Sequence, residues 1–158
     1  YYCTSFNEVH QLIHTNESIM TTDKHIKHYL KNLAEEIDGK YTDYTDESVI
    51  LTLPLDGGKR YQNVRCFLRN DEQGVFLTFN SKIVALKNID VNLKDMLKRN
   101  TSFIYAKLVV TQEDEMLEMI ASIRYDLCTY DEVRLVLFEI GQEADKLEDE
   151  LTGGQDVY

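Results

Sequence analysis

The sequence predicts a single-domain α+β fold in which helices pack on a five-stranded antiparallel sheet. Three observations predict this fold class. Apolar residues recur at helical spacing after residue 22 and again near the end of the chain, whereas alternating apolar and polar residues between them indicate strands. Turn signals at Asp56-Gly57-Gly58 and from Asn70 to Gly74 separate consecutive strands. The predicted order is helix, three strands, helix, two strands, helix.

The chain begins with a segment that has two readings, followed by a clear helix. Residues 1–22 form either an arm or a short docked helix. The apolar residues of this segment that share one helical face are Phe6, Val9, Leu12 and Ile13. Thr22-Asp23 starts the next helix, which we expect to end at Gly39 in a left-handed conformation. Its apolar face comprises Ile26, Tyr29, Leu30, Leu33, Ala34 and Ile37.

Three strands in meander order follow this helix. Residues from Glu47 to Leu55 alternate in character, and Pro54 favours a strand end or an edge because it has no N–H to donate. The second strand runs from Gln62 to Arg69. The third runs from Val75 to Leu86 and is expected to bend near Asn80-Ser81.

A short helix and a hairpin come next. We expect the helix from Asn88 to Asn100, with Asn100 as its C-terminal cap. Phe103 to Val110 and Met116 to Tyr125 are predicted to be strands joined by a polar loop. The residues expected to face the core are Ile104, Ala106, Leu108 and Val110 in the first strand, and Leu117, Met119, Ala121, Ile123 and Tyr125 in the second.

The last helix has the clearest signals. Thr129 and Glu132 fit a capping box, and an apolar stripe continues from Tyr130 to about Leu151. The stripe consists of Val133, Leu137, Ile140, Ala144, Leu147 and Leu151. The opposite face is acidic, and Gly153-Gly154 marks the helix end. We therefore expect a folded domain over residues 23–152 and a flexible tail over residues 153–158.

Charge and cysteine content exclude several classes of partner. The formal net charge of −11 disfavours binding to nucleic acid or to an anionic membrane, since both are polyanions. No stretch has the length and hydropathy of a membrane-spanning helix. The three cysteines, Cys3, Cys66 and Cys128, are far apart and odd in number, so we expect no disulfide framework and a cytoplasmic location.

The sequence offers no convincing catalytic or metal site. The pairs His10/His14 and His25/His28 have helical spacing but no bracketing cysteines and no HExxH pattern. We interpret them as exposed helix residues. The carboxylates Asp114, Glu115, Asp145, Glu148 and Asp149 are predicted to be solvated rather than held in a pocket. We expect no enzyme activity, no cofactor and no metal.

One surface pattern indicates a partner site. Tyr61, Arg65, Phe67 and Arg69 share the face of the second strand opposite Val64, and Phe76 joins them if the third strand pairs in register. Aromatic residues and arginine dominate binding hot spots, so this face is our candidate partner-binding surface. The alternative reading is that the helices simply cover this face.

Four features of the last third of the chain occur together: Met96-Leu97-Lys98-Arg99-Asn100, the length of the hairpin Ile104 to Tyr125, Cys128-Thr129-Tyr130-Asp131-Glu132 and Ala144-Asp145. On these features the last third resembles the YbjN family within the type III secretion chaperone-like fold. The resemblance covers about Asp23 to Leu151. It implies a curved antiparallel sheet with helices on one face, and a small cytoplasmic protein that is often a dimer.

Two functional hypotheses follow. The first is a non-enzymatic, protein-binding or chaperone-like adaptor, homodimeric, that holds a polypeptide partner or client on its sheet and helix surface. The second is a regulatory domain that binds a small-molecule ligand in the concavity of the sheet. The resemblance transfers no functional residues position by position.

Overall fold

The computed structural model of the chain describes residues 23–111 and 115–154. The helices are α1 Asp23–Glu36, α2 Leu93–Lys98 and α3 Tyr130–Thr152. The strands are β1 Lys40–Thr45, β2 Ser48–Leu55, β3 Arg60–Asp71, β4 Gly74–Ala85, β5 Lys107–Val110 and β6 Met116–Arg124. All neighbouring strands pair antiparallel in the order β1-β2-β3-β4-β6-β5. The α+β class is confirmed, but the sheet has six strands in this part of the chain rather than five.

The strand that sequence reading missed is β1, with the sequence KYTDYT. It lies at one edge of the sheet and pairs only with β2 in the described part of the chain. Five of its six residues are exposed, so it lacks the buried apolar side chains that produce an alternating pattern. An edge strand of this kind is held by its backbone ladder rather than by a hydrophobic face.

The turn between α1 and β1 differs from the prediction in one detail. Asp38, not Gly39, takes the left-handed conformation, with φ 56°. Gly39 is needed for another reason, because a Cβ at that position would lie 2.7 Å from the carbonyl oxygen of Thr52. The glycine therefore permits close approach of the chain to β2.

The helices α1 and α3 pack on the same face of the sheet. The side chain of Tyr29 in α1 donates a hydrogen bond to the carbonyl of Tyr130 at 2.9 Å, and their rings lie 4.4 Å apart. α3 packs on β3, β4 and β6, and α1 on β1 and β2. The shared core includes Val49, Leu51, Leu53, Val64, Cys66, Leu77, Phe79, Met119, Val133, Leu137 and Ile140.

The last helix matches its prediction closely. The backbone N–H of Glu132 donates to the Thr129 hydroxyl at 3.2 Å, and Gly153 ends the helix in a left-handed conformation. Every member of the predicted stripe is buried except Leu151, which is half-buried. Glu148 was expected on the solvated side, but it is only 2% exposed.

The segment before β5 contradicts the prediction of a strand from Phe103 to Val110. Only Lys107–Val110 is a strand, and Ile104, which was expected to face the core, is 83% exposed. The backbone N–H groups of Ile104, Tyr105 and Ala106 donate to the carboxylate of Glu139 at 2.6, 2.8 and 3.4 Å. A side chain of α3 thus replaces the missing strand partner.

The short helix α2 is also smaller than predicted. It covers Leu93–Lys98, with Asn92 as its N-terminal cap. Asn100 is not the C-terminal cap. Its side-chain amide instead binds both backbone groups of Leu108, accepting from the N–H at 2.6 Å and donating to the carbonyl at 3.2 Å. This occupies hydrogen-bonding groups that an edge strand would otherwise expose.

Candidate functional site

The face of the sheet that points away from α1 and α3 is here called the open face. The cross-strand register places Ile50, Arg65, Asn80 and Ile120 in one row across β2, β3, β4 and β6. A second row contains Phe67 opposite Thr78 and Ser122, and a third contains Arg69, Phe76 and Arg124. The core-facing residues alternate with these along each strand, so the helices cover the Val64 side and not the Arg65 side.

The arginines of the open face lie over aromatic rings. The guanidinium carbon of Arg65 is 5.5 Å from the ring centre of Tyr44 and 4.8 Å from that of Phe67. Arg69 and Arg124 approach the single ring of Phe76 from its two neighbouring strands, at 5.6 and 5.8 Å. Each such contact is worth about 0.5–1 kcal/mol at an exposed site. The contacts hold planar cations flat against the sheet surface.

The three arginines differ in how closely a carboxylate approaches them. Arg124 donates to both carboxylate oxygens of Asp126 at 2.8 and 2.6 Å, which lowers the pKa of Asp126. Arg69 approaches Asp71 at 3.5 Å. Arg65 makes no ion pair with any side chain in residues 23–111 and 115–154. Among the described residues, the contacts of its positive charge are with the aromatic rings.

Two polar atoms in the middle of the open face are buried without a hydrogen-bond partner among the described residues. They are Nε of Arg65 and Oδ1 of its cross-strand neighbour Asn80. The amide nitrogen of Asn80 donates to Glu118 at 2.9 Å, and Glu118 is only 6% exposed. An unmade hydrogen bond at a buried donor costs about 1–3 kcal/mol, so a ligand that completes it is stabilised.

The residues singled out from the sequence are largely brought together. Arg65, Phe67, Arg69 and Phe76 form two adjacent arginine–aromatic clusters. Tyr61 lies on the same face near the far end of β3, opposite Pro54, and is 49% exposed. Whether these side chains bind a partner remains a proposal.

Sequence reading missed four further members of the open face. Tyr44 belongs to the unrecognised edge strand, and Ile50 was read only as part of an alternating run. Arg124 and Ile120 lie on β6, which pairs with β4 although the two strands are far apart in the chain. A pairing between strands that are far apart in the chain leaves no local sequence pattern. The alternation of apolar and polar residues in β6 indicates a strand but not its partner.

The histidine and carboxylate candidates show no constellation for chemistry. His25 and His28 are exposed on α1, and His28 contacts Asn32 at 3.2 Å. His10, His14 and Asp114 lie outside the described residues. Within residues 23–111 and 115–154, no group of three or more His, Cys, Asp or Glu side chains is arranged to hold a metal ion.

Asp145 and Asp149, which were expected to be solvated, both accept from Arg60 on β3. The Nε of Arg60 donates to Asp145 at 2.7 Å, and the Asp145 side chain is 16% exposed. The two carboxylates therefore attach the end of α3 to the sheet. Glu115, in the hairpin loop, is exposed.

The two described cysteines are buried and unpaired. Burial raises the pKa of the Cys66 thiol well above its usual range and that of Cys128 to about 11. Both thiols are therefore protonated at neutral pH and are poor nucleophiles.

Two clefts lie on the helix side. One, of about 150 Å³, lies between Ile26, Lys27 and Leu30 of α1 and the ends of β2 to β4. A shallower one, of about 430 Å³, is lined by His25, His28, Tyr29, Asn32 and Tyr130. The first is smaller than the roughly 300–1,000 Å³ typical of ligand sites, whereas the second lies within that range. The described helices are also too short or too polar to cross a bilayer.

The architecture places the chain in a fold class. An open antiparallel sheet with its helices on one face, in this element order, is the type III secretion chaperone-like fold.

The solved structures that are similar to the chain include two complexes. A chain of the ExsC–ExsE complex is similar with a TM-score of 0.60 and 14% identity, over 84% of this chain and 97% of that one. A chain of the heterodimeric ExoU–SpcU complex from the type III secretion system of Pseudomonas aeruginosa has a TM-score of 0.46 and 12% identity, over 80% and 97%. No family model and no curated sequence matches the chain. At these identities the likeness concerns the fold.

Proposed function

We propose that this protein is a non-enzymatic, chaperone-like adaptor that binds a polypeptide partner on the open face of its sheet. The observation that carries the proposal is the pair of arginine–aromatic clusters around Phe67 and Phe76 on a face that α1 and α3 leave uncovered. Arginine and large aromatic side chains dominate the energetics of protein interfaces. Rings already fixed by their neighbours also lose little side-chain entropy on binding.

The comparison supports a polypeptide as the partner. The similar chain of TM-score 0.60 comes from a structure that is itself a complex of two proteins, ExsC and ExsE. The proposal assigns no catalytic step and no cofactor to the chain. It places the protein in the cytoplasm, and the buried, unpaired thiols of Cys66 and Cys128 support that location.

We also propose that the chain is a YbjN-like member of this fold, because three of the motifs behind that resemblance have structural roles. Asn100 occupies the backbone groups of Leu108, and Thr129 caps α3. Ala144 is fully buried in the core, and the adjacent Asp145 accepts from Arg60.

A homodimer is the proposed assembly. Leu93 and Leu97 lie four residues apart on α2, so they share a face of that helix, and both are exposed, at 38% and 44%. Ile104, a few residues later, is 83% exposed. These apolar groups, away from the open face, suit contact with a second copy of the chain.

Light scattering coupled to size exclusion tests the assembly. Leu97→Glu should convert the dimer to a monomer, since a charge would enter an apolar interface. Leu127→Glu is the matched control, because Leu127 is an exposed leucine in the turn before α3. Loss of the dimer in both variants, or in neither, would contradict the assignment of this surface.

Selection from a library of random-sequence peptides displayed on phage tests the proposed function. The immobilised wild-type protein should enrich a set of peptides, and Phe67→Ser should reduce their binding. Phe138→Ser is the matched control, because Phe138 also lies under an arginine, Arg134, but on α3. An absence of enrichment, or binding that depends on Phe138 and not on Phe67, would overturn the proposal.

A further inference from the structure

The charge of the molecule is divided between its two layers. The helix α3 carries eight acidic side chains and two basic ones. The open face instead presents the cations Arg65, Arg69 and Arg124, whose guanidinium groups lie over its rings. Two of these cations have carboxylate neighbours, Asp71 and Asp126, so Arg65 is the one whose positive charge is unbalanced. A local positive charge of this kind attracts an acidic group, whereas the acidic helix layer repels it.

Arg65 is the member whose charge is unmatched. Arg69 and Arg124 have carboxylate neighbours on their own strands, Asp71 and Asp126. Arg65 has no ion pair in the described part of the chain, and its Nε–H is buried without an acceptor. A carboxylate that accepts from Nε and an adjacent nitrogen of the same guanidinium would supply both the missing acceptor and the missing charge.

The neighbours of Arg65 across the strands are apolar on one side and polar on the other. Ile50 on β2 lies directly beside it, whereas Asn80 on β4 separates it from Ile120 on β6, and both isoleucines are half-buried. Tyr44, 59% exposed beside the irregularity in β1, covers one side of the guanidinium. Because this ring is largely in solvent, it can turn aside without loss of core packing. A complementary segment therefore places an acidic side chain between apolar ones.

We propose that the polypeptide partner of the open face is an acidic segment, in which a carboxylate flanked by apolar side chains binds Arg65. This inference rests on the proposed function and specifies the chemistry of its partner. The flanking apolar side chains cover Ile50 and Ile120.

The sequences enriched by the random-peptide selection test this inference. The expected result is a set with an excess of Asp and Glu next to apolar residues, whose binding weakens as salt concentration rises. An enriched set that is neutral or basic, but still dependent on Phe67, would overturn the acidic partner and leave the proposed function intact. No enrichment at all would overturn both.

Fluorescence anisotropy with one enriched peptide then tests the role of Arg65. Arg65→Gln should raise the Kd about tenfold, the usual scale for one charge-assisted hydrogen bond. Arg65→Lys should recover only part of the loss, because lysine lacks the planar fork. Arg134→Gln is the control, since Arg134 also lies over a ring but belongs to the helix layer. Equal effects of Arg65→Gln and Arg134→Gln would contradict the assignment.

Discussion

The carboxylate of Glu139 provides the sharpest test of how the chain holds its irregular segment. It accepts from the backbone N–H groups of Ile104 and Tyr105 at 2.6 and 2.8 Å, and from that of Ala106 at 3.4 Å. The variant Glu139→Gln keeps the shape of the side chain. However, it replaces one acceptor oxygen by an NH₂ group. That group and the peptide N–H that it faces are both donors, so they cannot form a hydrogen bond with each other.

The expected loss of stability follows from the strength of these hydrogen bonds. A hydrogen bond to a charged group contributes about 1.5–3 kcal/mol when buried, and the exposure of Ile104 reduces this to about 1 kcal/mol for each short bond. Losing one bond and weakening the other gives a loss of about 1.5 kcal/mol in the free energy of unfolding. For a chain of this length, that corresponds to a fall in Tm of about 3–6 °C.

Chemical denaturation followed by circular dichroism measures the loss, and amide hydrogen exchange locates it. Exchange should accelerate at Ile104 and Tyr105 and remain slow in α3. Glu143→Gln is the matched control, because Glu143 pairs only with Lys146 on the helix surface and should cost less than about 0.5 kcal/mol. If Glu139→Gln costs no more than this control and leaves exchange unchanged, the carboxylate does not hold the segment.

Three further substitutions have defined outcomes. Gly141→Ala should cost about 1–3 kcal/mol in chemical denaturation, because the new Cβ would lie 2.5 Å from a methyl carbon of the fully buried Leu53. Asn100→Ala should cost about 1–3 kcal/mol and increase light scattering on storage, since it frees both backbone groups of Leu108 at the sheet edge. Burial raises the pKa of Tyr29 to about 12, so its hydroxyl stays neutral in the folded state while the unfolded chain ionises near pH 10. Stability should therefore fall between about pH 10 and 12, and Tyr29→Phe should flatten that fall. Unchanged stability in the first two variants, or an unchanged slope in the third, would contradict these accounts.

The elements that could be predicted from the sequence are those with a strong apolar period. The stripe of α3 and the alternation of β2 and β3 are one-sided patterns, and burial against a single core enforces both. The same alternation separates Arg65 and Phe67 from Val64 and Cys66, so the composition of the candidate site was readable. Its exposure was not, because only the packing of α1 and α3 decides which face is covered.

The elements that could not be predicted depend on contacts distant in the chain. The apolar run that contains Ile104 reads as a strand, but Glu139 of α3 binds its backbone and turns Ile104 outward. The polar edge strand β1 has no buried face to signal it. Arg124 joins Phe76 only through the pairing of β4 with β6. The hydrophobic period and the secondary-structure propensity of a segment carry no information about the distant segments that it contacts.

Isoleucine methyl groups report directly on the binding of a polypeptide to the open face. Ile50 and Ile120 lie on that face, whereas Ile26 and Ile140 belong to α1 and α3 and are buried in the core. The decisive measurement is methyl NMR of the isoleucine-labelled protein with an enriched peptide that carries a spin label. If a polypeptide binds the open face, the methyl signals of Ile50 and Ile120 should broaden strongly and those of Ile26 and Ile140 only a little. Broadening confined to Ile26 or Ile104, with Ile50 and Ile120 unaffected, would place the partner elsewhere and contradict binding at the open face.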